Sequence, residues 1–151
     1  MADLHIDDFY RDAALIMLHL YGRFPRKTIL YVDDVCGPDT PDEFGLHSQR
    51  YHSCFSAMVW LAEQGYVQYS ETVREEALDQ AVLTQRGFMV LASRSELELG
   101  MAVDENEEIP PSVMERSLTN VTQIRAALRE GSSIMTQQVM HYVLSLSGKS
   151  E

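Results

Sequence analysis

The chain has 151 residues, 45% hydrophobic and 23% charged, an ordinary globular composition that can build a core without metal or disulfide staples. Its 12 basic and 23 acidic residues leave a net charge of −11. That balance argues against a protein whose whole surface coats nucleic acid or anionic membrane, and leaves room for a small basic face.

A first helix is predicted from about Asp7 to Tyr21, capped by Asp7 or Asp8 and stopped at Gly22. Phe9, Ala13, Ile16, Met17 and Leu20 recur at helical spacing as its buried stripe. After a Phe24-Pro25 turn, residues 28–32 read as a short strand and residues 33–35 as the start of one helical turn. Residues 37–45 form a loop. A second long helix runs from His47 or Ser48 to Gln64, with Tyr51, Cys54, Phe55, Met58, Leu61 and Ala62 inward and Gln49, Arg50, Ser53 and Ser56 largely outward. Gly65 ends it, and Trp60 and Leu61 are expected to plug the core just before that exit. Residues 66–69 read as a strand, 71–76 as a polar tip and 77–83 as a returning strand, after which Thr84 caps a helix.

From Ser93 the composition changes. Residues 104–108 are an acidic connector ending at Pro110-Pro111. A helix is expected from about Pro111 to Glu130, with Met114, Leu118, Val121, Ile124 and Leu128 as its stripe, and another from Ser133 to Leu146. The division is thus residues 1–93 and residues 94–151.

The order helix, short strand, short helix, long helix, strand, tip, strand resembles a winged helix-turn-helix. Trp60 to Val67 is similar to a recognition helix running into a first wing strand. Ala81 to Phe88 carries the "leucine, threonine, two residues, glycine" passage of many bacterial winged-helix proteins. The resemblance covers about residues 7 to 92. It implies a mainly α fold with a small β-hairpin, followed by C-terminal helices. It also implies a bacterial, cytoplasmic regulator of transcription that binds double-stranded DNA as a homodimer through those helices.

By that resemblance Gln49, Arg50, His52 and Ser53 face the major groove, where Gln reads adenine and Arg reads guanine. Arg23, Arg26 and Lys27 contact backbone phosphate, and Arg74 reaches from the wing. The wing itself opposes this. Residues 71–79 hold four acids against one base, a net charge of −3, whereas a phosphate-touching wing is expected to be basic. The alternative is an adaptor that binds another protein through its acidic surface.

Catalytic and metal chemistry find little support. Cys36, His47, His52 and Cys54 have donor types that zinc accepts, but their spacing matches no standard site. Cys36 and Cys54 read as reduced thiols in a cytosolic chain. Asp33, Asp34, Asp39, Asp42 and Glu43 read as solvated loop acids rather than an acid–base pair. No nucleophile stands beside a base, so no enzyme activity and no cofactor are expected. The N-terminus lacks a secretory signal and no apolar run approaches the ~20 residues of a membrane span, so no membrane partner is expected.

Overall fold

The computed structural model describes residues 4–96 and 119–146. They fall into two compact units that divide between Phe88 and Met89, a few residues before the change in composition.

The first unit is mainly helical and carries a small antiparallel sheet. Helix α1 spans Leu4–Tyr21 and starts before the expected cap, so Asp7 lies within its first turn, at the positive end of the dipole. Strand β1 (Thr28–Tyr31) leads into the one-turn helix α2 (Asp33–Cys36). Helix α3 spans Gln49–Glu63; Ser48 caps it, its hydroxyl accepting from the Tyr51 N–H at 3.2 Å. Ile16, Met17 and Leu20 of α1 and Met58 and Leu61 of α3 are fully or almost fully buried and form the centre of the core.

The sheet is larger than a hairpin. Strand β4 (Ala77–Leu83) pairs with β1 on one side. On the other it pairs with β2 (Val67–Gln68) and β3 (Glu71–Val73), which share one register and are interrupted by Tyr69 and Ser70. Half of the expected tip, Glu71–Val73, is therefore strand. The turn itself is Arg74 and Glu75, at φ 52° and 58°, closed by the Glu76 N–H donating to the Val73 carbonyl at 2.8 Å. Two non-glycine residues in left-handed backbone make the tight turn that the β3–β4 pairing closes. Across from β1, Gln80 at φ 53° takes up an extra residue as a bulge between Leu78 and Ala81.

The threonine–glycine passage has a mechanical explanation. Thr84 Oγ1 donates to the Gly65 carbonyl at 2.6 Å and accepts from the Gly87 N–H at 3.0 Å, so one hydroxyl fastens the exit of α3 to the start of α4 (Gln85–Ala92). A Cβ at Gly87 would lie 2.2 Å from the Tyr66 carbonyl oxygen, which only glycine avoids. Gly65, at φ 87°, lets the chain leave α3 sharply. Phe24 and Phe88 stack at 4.3 Å beside this closure.

In the second unit, α5 (Asn120–Glu130) and α6 (Ser133–Leu146) form an antiparallel pair joined at the left-handed Gly131. Val121, Ile124, Ala127, Val139, Met140 and Val143 are buried. Asn120 is fully buried, and its side-chain amide donates to the Val90 carbonyl at 2.8 Å. The acidic connector, Met114, Leu118 and the expected helix start at Pro111 lie outside the described residues.

Candidate interaction surface on helix α3

Four of the proposed DNA-contacting residues sit in the first half of α3, and the structure separates them. Gln49, His52 and Ser53 are exposed. Arg50 turns toward α1. Its Nη1 donates to Asp12 Oδ2 at 2.7 Å and its Nη2 to Asp12 Oδ1 at 2.6 Å, a two-point fork on a carboxylate only 1% exposed. Asp8 adds a contact to Nε at 3.6 Å. These bonds hold the Arg50 guanidinium well above its already high pKa. The sequence reading placed Arg50 in a DNA groove; the folded chain uses it to neutralise a buried acid. Asp12 gave a signal that was overlooked, since it lies one turn before Ile16 on the apolar stripe of α1. A carboxylate there needs a cation, and Arg50 is the only Lys or Arg in α3.

The basic turn is also not part of this patch. Arg23, Arg26 and Lys27 follow the C-terminal end of α1 and line a shallow hollow with Thr28. Arg23 donates to the His19 carbonyl at 3.4 Å, where it complements the negative end of the helix. The exposed face of α3 lies beside His5 to Phe9 at the other end of the 18-residue α1, roughly 25 Å away along the axis. Arg74 occupies the β3–β4 turn among Glu71, Glu75 and Glu76.

The face that remains is apolar and acidic. A groove of about 600 Å³ runs between the N-terminal part of α1 and α3, with Ile6, Phe9, Ala57 and Trp60 in its lining and His52 and Ser53 on its border. Trp60, expected in the core, is 38% exposed. Phe9 meets its ring edge-on at 5.1 Å and 90°, which holds the indole at the groove. The helical spacing already put Trp60 in line with the exposed His52 and Ser56; its size suggested the core instead. On the β3–β4 side of His52, Ser56 and Trp60 a second hollow of about 490 Å³ is lined by Phe55, Val59, Glu63 and Glu75.

The loop before α3 is built rather than merely solvated. Asp39 Oδ2 accepts from the Ser48 N–H and lies 3.0 Å from both that nitrogen and His47 Nδ1. An ionised carboxylate only accepts, so the imidazole proton sits on Nδ1. The Ser48 bond, followed by His47, holds the Asp39 carboxyl below the usual aspartate range. Asp42 accepts from the Phe44 and Leu46 N–H groups, each at 2.9 Å. His47 stacks on the buried Tyr51 at 3.8 Å, and His52 faces Glu75 at 3.7 Å. Burial pushes the Tyr51 phenol up to about 12 and raises the thiol of Cys54, which is free like Cys36.

Among the described residues, no group of three or more His, Cys, Asp or Glu is placed to hold a metal ion, and no helix is long and apolar enough to cross a membrane. Comparisons with protein families, with curated proteins and with solved structures find no match for this chain.

Proposed function

We propose that the first unit is a winged helix that works as a protein-binding module, with the α1–α3 groove as its contact face. The fold reading is supported by the element order and by a sheet in which β4 lies between β1 and the β2–β3 edge. One observation carries the choice of ligand: the guanidinium of α3 is committed to Asp12, while the outward face offers a large aromatic, an apolar groove and acids. Such a surface suits desolvation by a protein and repels phosphate.

A DNA-binding regulator is the second reading, favoured by the exposed Arg26 and Lys27. In that reading the C-terminal helices form the homodimer, and Gln49, His52 and Ser53 lie toward the duplex. Anisotropy titration of the full chain with mixed-sequence duplex DNA, at low and moderate salt, separates the two. The expected result is no salt-dependent affinity. Affinity that falls with salt and is lost in an Arg26→Ala/Lys27→Ala variant would establish the DNA reading.

A further inference from the structure

We infer that the occupant of the α1–α3 groove is a basic amphipathic helix of another protein. The inference rests on the protein-binding reading and deepens it. The surface has two parallel parts. His52, Ser56 and Trp60 lie four residues apart and form a ridge along α3, because such positions stack on one helix face. On one side of the ridge lies the apolar groove with Ile6 and Phe9; on the other lies the hollow with Glu63 and Glu75. A helix lying along α3 would place an apolar stripe against Phe9 and Trp60. Its flanking Lys or Arg side chains would meet Glu63 and Glu75, as in other helix-in-groove contacts. A cation over the Trp60 face would add to the attraction.

Charge selects this occupant over the others. A second copy of this chain would bring a further −11 to a surface whose neighbouring hollow carries Glu63 and Glu75, and nucleic acid would bring more negative charge still. A basic helix complements both those two acids and the chain as a whole.

The chain has one tryptophan, so its indole emission reports on the ridge that borders the groove and the hollow. The test is a displayed library of amphipathic helices of about 16 residues, lacking Trp and with random charges on the polar face, selected against the full chain. Selected peptides are expected to be enriched in Lys and Arg and to carry large apolar residues at i and i+4. They should shift the Trp60 emission to the blue in a saturable titration. Glu63→Lys/Glu75→Lys, both at exposed positions, should weaken their binding about tenfold, and Ile6→Glu should weaken it further. Selection without a preference for basic residues would overturn the partner chemistry and leave protein binding standing. Selected peptides that do not move the Trp60 emission would overturn the groove, and so would an empty selection. A blue shift that rises with protein concentration alone, with doubled mass in sedimentation, would make a second copy the occupant. An empty selection together with a duplex-induced shift would overturn the protein-binding reading as well.

Discussion

On the α1 side of α3, Arg50 grips Asp12 through two bonds of 2.6 and 2.7 Å, and the carboxylate is 1% exposed. On the β3–β4 side, His52 faces Glu75 at 3.7 Å, with both side chains exposed. Both seams tie α3 to a carboxylate on a neighbouring element, yet burial gives them different roles. The first cannot open without leaving a carboxylate stranded in the core. The second is screened by water and can yield to a partner that offers a cation to Glu75. The rigid seam sets where α3 lies, and the yielding seam borders the surface proposed to bind.

The largest effect should come from the rigid seam. Arg50→Ala should destabilise the chain by about 3 kcal/mol or more, read from the urea midpoint, because Asp12 stays buried without its partner. Arg50→Lys should recover only part of that, since an ammonium cannot reproduce the fork. A loss under about 1 kcal/mol would mean that water reaches Asp12, and the contrast between the seams would fail. The same result bears on DNA: lost binding in an Arg50 variant would report unfolding, not base reading.

Asp39 gives an intermediate effect, and pH controls its size. Its carboxyl titrates below the usual aspartate range in the folded chain. Its contribution is therefore complete above that range and is lost as the pH falls through the lowered value. Acidification below about pH 4 should open the loop before α3, seen as protease cleavage between residues 37 and 48. Asp39→Ala should be cleaved there already at neutral pH. Equal cleavage of wild type and variant at neutral pH would show that the loop does not depend on this carboxylate.

The smallest effect belongs to the yielding seam. His52→Ala or Glu75→Gln should change stability by less than about 0.5 kcal/mol, again read from the urea midpoint. A cost near that of Arg50→Ala would show that the β3–β4 hairpin is clamped to α3 rather than poised beside it.

Much of the first unit was legible in the chain because its signals are local. Ser48 and Thr84 announce helix starts through the hydroxyl they offer to free N–H groups, and Gly65 announces a stop through its backbone freedom. Strand β4 and helix α6 match their expected bounds, since alternation and helical spacing are also read over a few residues. The strand character of Glu71–Val73 was not legible. Its side chains are polar and exposed, and its pairing is supplied by β4 across the turn.

The candidate site was legible only as a roster of residue types on one helix face. Spacing placed Gln49, Arg50, Ser53 and Ser56 outward together, and the fold then reassigned Arg50. An arginine at a helix border reaches solvent or a neighbour with equal ease, and the choice depends on a buried acid 38 positions earlier. Trp60 was decided in the same way: its place in line with His52 and Ser56 is a property of the chain, but the ring that it packs against, Phe9, is on another helix. The sequence by itself determined most of the elements, the caps at Ser48 and Thr84 and an acidic character concentrated at the hairpin of residues 71–79. The tertiary structure alone decided which charges are neutralised and which apolar surface stays open, because both depend on contacts between residues far apart in the chain.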